Sequence, residues 1–338
     1  MNENQIPVLK AVPAGAPELE QLERINEEAI PAEERNTLTD LRKTGAEILG
    51  IFLQDIPAGF LVLRSFRQTC YLAYLAVRQD LRGQGIGSLA LAELLRRNAG
   101  LQTVTEFESP DAAPEDRMRQ RRKDFYLRNG FCETGWHTRY DGTEFEIACA
   151  GRPFDAAEFS GFVRYLGTLV SDHIPAPFRR YADFVLREAE QTDIPELCRL
   201  RLAYLAEDMG ELSAENREQI TAQLPRYFAE HLGKDCFAFT AALPDGTLAA
   251  NAILLCTEKP ANPFFPNGRD GTVLGVYTMP QYRRKGLAAE LMKLLIAEGR
   301  AQSLSRITLS ATDAGRPVYE KLGFSLKRSH YSDMALTL

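Results

Sequence analysis

Apolar positions along this chain recur at two spacings, every second residue and every third or fourth, and the two alternate in an order that appears twice. In the C-terminal half, Phe184–Glu188 reads as a short strand, and Asp193 opens a helix whose Leu197, Leu200, Ala203 and Tyr204 keep helical spacing. A second helix is expected over about Ala214–Leu232, with Ile220, Leu224, Tyr227 and Phe228 on one face and Pro225 set to kink it. Strands Cys236–Leu243 and Leu248–Leu255 flank Pro244-Asp245-Gly246-Thr247, a hairpin turn by its residues. Strand Val273–Thr278, a loop at Arg283–Ala288, helix Ala288–Gly299, strand Arg306–Ala311, a short helix over Pro317–Leu322 and closing strands from Phe324 complete this half. The N-terminal half keeps the order. It has a helix near Glu18–Ala29, strands near Ile48–Leu53, Gly59–Ser65 and Tyr71–Val77, helix Gly87–Ala99, strand Thr103–Glu108, a helix ending at Asn129 and strand Thr143–Cys149.

The repetition extends to the residues themselves. Leu75-Ala76-Val77-Arg78-Gln79-Asp80-Leu81-Arg82-Gly83-Gln84-Gly85-Ile86-Gly87 aligns with Val276-Tyr277-Thr278-Met279-Pro280-Gln281-Tyr282-Arg283-Arg284-Lys285-Gly286-Leu287-Ala288. Further on, Phe125-Tyr126-Leu127-Arg128-Asn129-Gly130-Phe131 aligns with Val318-Tyr319-Glu320-Lys321-Leu322-Gly323-Phe324. Arg82 and Tyr126 lie 44 residues apart, Arg283 and Tyr319 only 36, and the difference falls in the Pro/Asp-rich stretch Ser109–Asp116, a loop insertion. A length of 338 residues also suits two domains. The expectation is a domain over residues 1–150, a helical connector and linker over 151–178, and a second domain over 179–338. In the connector Phe159, Phe162, Val163, Leu166 and Val170 keep helical spacing, and His173-Ile174-Pro175-Ala176-Pro177 reads as the linker.

Composition narrows the class. With 45% hydrophobic and 25% charged residues the chain is of ordinary globular make-up, and each half is long enough for its own core. A net charge of −6 argues against a general nucleic-acid or anionic-membrane binder, although a local basic loop can still hold a phosphate. The six cysteines form no Cys-x-x-Cys pair and are too sparse for a disulfide scaffold, so they read as buried thiols of a reducing compartment. No basic-then-apolar leader opens the chain, and no apolar run reaches the roughly 20 residues that span a bilayer. A cytoplasmic protein is expected, its oligomeric state open. His137, His173, His231 and His330 are isolated, so no metal site is expected.

The most informative chemistry is the glycine-rich loop between a strand and a helix. Such a loop aims unpaired N–H groups outward at the positive end of a helix, which makes an anion site. Arg82-Gly83-Gln84-Gly85-Ile86-Gly87-Ser88 is one and Arg283-Arg284-Lys285-Gly286-Leu287-Ala288 the other. Neither is Gly-x-x-x-x-Gly-Lys-Ser/Thr, and Gly83-x-Gly85-x-Gly87 has the wrong spacing, several strands late, for a dinucleotide fingerprint. Both fit Arg/Gln-x-x-Gly-x-Gly/Ala. That pattern, followed in each half by Tyr-x-x-x-Gly-Phe, resembles the pyrophosphate-binding motif of the GNAT superfamily of N-acetyltransferases, over about residues 5–150 and 180–338.

The resemblance implies an α/β fold of two tandem domains. Each would be a mostly antiparallel mixed sheet with a splayed central strand pair, flanked by helices. It implies an acyltransferase moving an acetyl group from acetyl-CoA to the primary amine of a small molecule or peptide. Pantetheine would lie in the splay like a missing strand, against the backbone of Leu75–Val77 or Val276–Thr278. The pyrophosphate would rest on the amides of Gln84–Ser88 or Lys285–Ala289. A backbone N–H near Val77 or Thr278 would polarise the thioester. Tyr126 and Tyr319 match the family's acid for the departing thiolate, and a tyrosine there can equally be core packing.

For the base, Glu106 and Glu108 alternate with Phe107 on the strand beside the cleft. They offer a proton acceptor and a preference for a cationic amine in the first domain, or else a solvated strand face. Ser310 and Thr312 take their place in the second domain, where Glu207 and Asp208 end a helix, within reach of the acceptor or merely solvated. The acceptor stays open among polyamines, amino sugars, amino acids and protein N-termini. So does the alternative of an acyl-CoA-binding regulatory or scaffold protein with one or both domains silent.

Overall fold

The computed structural model describes residues 7–32, 35–170, 173–327 and 336. The chain divides into two compact units, Met1–Tyr181 and Ala182–Leu338.

In the first unit β1 (Val8–Ala11), β2 (Glu47–Leu53), β3 (Ile56–Phe66), β4 (Thr69–Val77), β5 (Gln102–Glu108), β6 (Cys132–Tyr140), β7 (Thr143–Ala150) and β8 (Phe178–Tyr181) form a sheet in the order β1-β2-β3-β4-β5-β7-β6-β8. Neighbours run antiparallel except β4 and β5, which are parallel. Period-two alternation divides the strands between two cores. Phe60 and Val62 face α1 (Glu18–Ala29) and α2 (Leu38–Lys43), which bury Leu22, Ile25 and Leu38 against them. Leu61, Leu63 and Phe107 face the opposite way, toward Ile86, Ala90, Leu91 and Leu94 of α3 (Ile86–Arg97) and Tyr126 of α4 (Arg117–Arg128). The apolar stripe of the connector is real: in α5 (Ala156–Gly167), Phe159, Phe162 and Val163 pack on Val104, Ile147 and Cys149 of this same unit.

In the second unit β9 (Phe184–Glu188), β10 (Cys236–Ala242), β11 (Leu248–Glu258), β12 (Arg269–Thr278) and β13 (Ile307–Thr308) lie side by side in chain order, and only β12 and β13 are parallel. Helices α6 (Ile194–Met209) and α7 (Ala214–His231) bury Leu197, Leu200, Leu224 and Phe228 against Ala238, Ile253 and Tyr277, and α7 runs through Pro225. On the other face α8 (Leu287–Ala301) packs on β10, β11 and β12 with Leu287, Leu291, Met292 and Leu295 buried, and α9 (Arg316–Lys321) follows β13. The closing strands expected after Phe324 are not formed at residues 324–327, and the rest of that stretch lies outside the described residues. The fold is thus the α/β arrangement expected, occurring twice. No described helix is long and apolar enough to cross a membrane.

The short elements escaped the sequence. β1 has four residues between two prolines, and α2 has six, held by Thr37, whose hydroxyl accepts from the N–H of Asp40. Both are too brief for periodicity to register. β6 has its pairing interrupted between Glu133 and His137 and shows no alternation.

At its base each parallel pair is pinned by polar side chains. Gln102 Nε2 donates to Thr69 Oγ1 at 2.8 Å in the first unit. In the second, Asp270 takes the place of Thr69, and its carboxylate accepts from Arg306 and from Lys259 at 3.1 Å. Burial alone would raise the Asp270 carboxyl, but those two cations hold it below its ordinary value. A depressed folded-state pKa contributes stability that is present above the unfolded value of about 3.9 and lost as the pH falls through the folded one. Asp270→Asn is therefore expected to cost about 2–3 kcal/mol at pH 7, less than a fully buried pair because both cations are partly solvated. Urea midpoints of wild type and variant should converge below pH 4, and parallel curves down to pH 3 would remove this assignment.

Candidate active site

Each parallel pair opens. In the first unit β4 and β5 pair only from Thr69–Gln102 to Leu72–Thr105, although β4 continues to Val77 and β5 to Glu108. In the second unit only Gly271–Ile307 and Thr272–Thr308 pair, although β12 continues to Thr278. The cause is local. Opposite β3, Val62 pairs with Tyr74 and Leu63 with Leu72, so Ala73 is an extra residue. Opposite β11, Ile253 pairs with Gly275 and Leu254 with Val273, so Leu274 is extra at the matching place. A bulge bends its strand and ends pairing, which leaves the backbone of Leu75–Val77 and of Val276–Thr278 beside a gap rather than a strand.

The far end of each gap is a loop of one design. A 3-10 turn, Gln79–Leu81 or Pro280–Tyr282, carries the chain to Arg82 or Arg283, whose Nε donates back to the carbonyl of Val77 at 3.0 Å or of Thr278 at 2.9 Å. Gly85 and Gly286 cap the following helices in the left-handed region, at φ 82° and 81°. Ile86 and Leu287 are buried and anchor the first turn, while Arg82–Gly85 and Arg283–Gly286 are exposed. The N–H groups of Gly85–Ser88 and Gly286–Ala289 have no carbonyl within their own helix to bond. A Cβ placed on Gly83 or Gly85 would meet nothing within 4 Å, so their lack of a side chain leaves open space over those amides. Open space, free amides and the positive helix end suit a pyrophosphate. Arg284 holds a left-handed φ of 66° where the first copy has Gly83 at 76°. The second loop is thus kept by its fold even without that glycine.

The remaining candidates differ between units. Tyr126 is buried among Phe107, Phe125 and Phe131, and its hydroxyl bonds Thr105, whose own hydroxyl donates to the carbonyl of Leu72 at 3.1 Å. Thr105 stands on the last paired rung before the splay. Tyr319 is half-buried against Phe324, and its hydroxyl has no partner among the described residues. Burial raises both phenols above their ordinary value. Glu106 and Glu108 share a side of β5 by register but not their surroundings. Glu106 accepts from Thr138 at 2.6 Å, Tyr71 at 2.7 Å and Tyr140 at 3.3 Å, and burial raises its pKa against the pull of those hydroxyls. Glu108 pairs with Arg119 at 3.2 Å and Arg122 at 4.0 Å, side chains of the basic helix α4. Glu207 accepts from Arg283 at 2.5 Å and Tyr277 at 3.3 Å, which ties the end of α6 to the second loop.

Two family models match this chain. The Acetyltransferase (GNAT) family matches residues 202–324, and the Acetyltransferase (GNAT) domain matches residues 45–133. The chain is a tandem GNAT protein. Among solved structures, it is similar to a predicted acetyltransferase with acetyl-CoA from Clostridium acetobutylicum, at 26% identity over 44% of this chain and 94% of that one, TM-score 0.40. It is also similar to an acetyltransferase from Trypanosoma brucei, at 26% identity over 46% of this chain and all of that one, TM-score 0.35. Among curated proteins no relative matches. Both matched domains of this GNAT chain are thus of the acetyltransferase kind.

Some parts of its two clefts were not legible. The hydroxyls around Glu106 come from three separate strand positions that only the sheet order brings together. Arg201, on the helix face beside Tyr204, lay within an apolar helical pattern that reads as core. Its one signal was a charge at a position flanked by Leu200 and Leu202.

Proposed function

We propose that this protein is an acetyl-CoA-dependent N-acyltransferase that moves an acetyl group to a primary amine by direct attack on the thioester. The observation that carries the reading is the pairing, in both units, of a bulge-opened strand gap with a glycine-capped anion loop. The gap takes pantetheine against Leu75–Val77 or Val276–Thr278, and the loop takes the pyrophosphate on Gln84–Ser88 or Lys285–Ala289. Held this way, the thioester meets the acceptor near the apex of the gap, where the strands part, and positioning supplies much of the rate.

Turnover is assigned to the second unit. There the Tyr319 hydroxyl, bonded by no described residue, donates to the departing thiolate, and Asp208, bonded by the Tyr204 hydroxyl at 3.3 Å, accepts the ammonium proton. In the first unit Glu106 is the corresponding proton acceptor, and Glu108 is neutralised by its arginines. Release of free thiol from acetyl-CoA across a panel of amines tests the reading. Amine-dependent release above the hydrolysis background is expected. Coenzyme binding with no release for any amine would show a binding protein instead.

A further inference from the structure

The second cleft carries, beside the bulge of β12, an arginine that no described carboxylate pairs with. Arg201 sits on α6, half-buried, with its guanidinium over the Tyr204 ring at 5.1 Å. Its Nη1 donates to the carbonyl of Leu274, the bulged residue where β12 leaves β13, at a long 3.4 Å. The same nitrogen is so close to Gly275 that a Cβ there would stand 3.1 Å from it. That weak bond is the guanidinium's one hydrogen bond among the described residues, out of five N–H donors. No described carboxylate forms an ion pair with it. Asp208 acts on it through space but accepts from Tyr204, and Glu207 is taken by Arg283.

Burying a cation is costly unless it is paired, so a half-buried arginine at the apex of a cleft, with most of its donors unbonded by any described residue, is suited to an anion. Burial also lowers its pKa, in keeping with a missing partner. The first unit has the opposite polarity. Beside its apex stands Glu106, in the strand position that Ser310 occupies in the second unit, and no described cation pairs with it. The two clefts therefore share the donor machinery and differ in the charge offered to the acceptor.

We propose that the second unit takes an amine that also bears an anionic group, a carboxylate or a phosphate, and that Arg201 binds that group. The inference rests on the acyltransferase reading for the identity of the second substrate. A guanidinium grips either anion through two parallel N–H bonds. With Arg201 on the anion, the ammonium group lies toward Asp208, two helical turns along the same side of α6. Amine and anion then occupy one small molecule, as in an amino acid or an amino-sugar phosphate.

The test uses matched pairs on the full chain: alanine against alaninamide, and glucosamine 6-phosphate against glucosamine, each followed by thiol release. Wild type is expected to favour the anionic member of at least one pair by tenfold or more in kcat/KM, chiefly through KM. The pair that shows it separates carboxylate from phosphate. Arg201→Met, which keeps the packing of the side-chain stem, should collapse that ratio toward one, and Arg201→Lys should keep part of it. Equal rates within both pairs, or a ratio that survives in Arg201→Met, would overturn the proposal. If no amine releases thiol, the enzyme reading falls and the anion site is still read directly. N-acetylalanine and N-acetylglucosamine 6-phosphate are then added to the coenzyme-A-bound protein in a thermal-shift titration. Stabilisation by either one that is lost in Arg201→Met supports the site. No shift from either overturns it.

Discussion

Gly286→Glu and Gly85→Glu are each expected to remove one of two coenzyme A sites per chain and to leave the other intact. Both glycines cap a helix at a φ near 80°, a region that L side chains enter at a cost of about 1–2 kcal/mol. Both lie at the positive end of a helix dipole, where a carboxylate is attracted to the same amides that would hold the phosphates. The substituted side chain thus competes for the site, adds like charge against the ligand and fills space that Gly85 leaves open. Three effects of a few kcal/mol in total correspond to at least a hundredfold loss of affinity at that loop. Asparagine tolerates the left-handed region without a charge, so Gly286→Asn and Gly85→Asn should weaken binding far less. Calorimetric titration of each variant with coenzyme A reads the site count and both constants. If the glutamate and asparagine variants bind alike, backbone strain alone is at work and the loops are not the phosphate sites.

What the sequence told, it told through repetition. The loop register, Arg82 with Arg283 and Gly85 with Gly286, holds down to single hydrogen bonds, because a glycine in the left-handed region and an arginine reaching back to a strand end are local constraints written in a few adjacent residues. The splay was legible only through family resemblance. It depends on Ala73 and Leu274 being extra residues against a neighbouring strand, and nothing in their chemistry marks them. Side-chain partners were the least legible. Alternation placed Glu106 and Glu108 on one side of a strand, which the register keeps. It could not say that one would meet hydroxyls from β4 and β6 and the other the arginines of α4, since those partners lie 11 to 35 residues away in sequence. Arg201 was hidden for the same reason: what its guanidinium meets depends on where the bulge of β12 falls against α6, which sequence spacing does not show.

The second large effect is expected at Tyr319. Tyr319→Phe should lower kcat by about 10²–10³-fold with little change in acetyl-CoA affinity, the range for removing one hydrogen-bond donor to charge that develops in the transition state. Tyr126→Phe should act mainly on stability. The two residues hold the same place in the repeat, so the difference must come from their surroundings. Tyr126 spends its hydroxyl on Thr105 inside a ring of phenylalanines, and replacing it removes one net hydrogen bond, about 1 kcal/mol. In the second unit Leu309 stands where Thr105 would be, so no described residue bonds the Tyr319 hydroxyl, and it is assigned to the leaving group. Burial raises its pKa, so the phenol stays protonated across the working range and is a reluctant acid beside a thiol of about 8.5. It is therefore expected to stabilise the developing thiolate by a hydrogen bond that strengthens as charge builds, which is an effect on kcat rather than on ground-state binding. The check is single-turnover thiol release by both variants, with calorimetry for acetyl-CoA. A larger fall for Tyr126→Phe than for Tyr319→Phe would move turnover to the first unit, with Glu106 as the proton acceptor. Unchanged rates in both variants under chemistry-limited conditions would reduce the two tyrosines to packing.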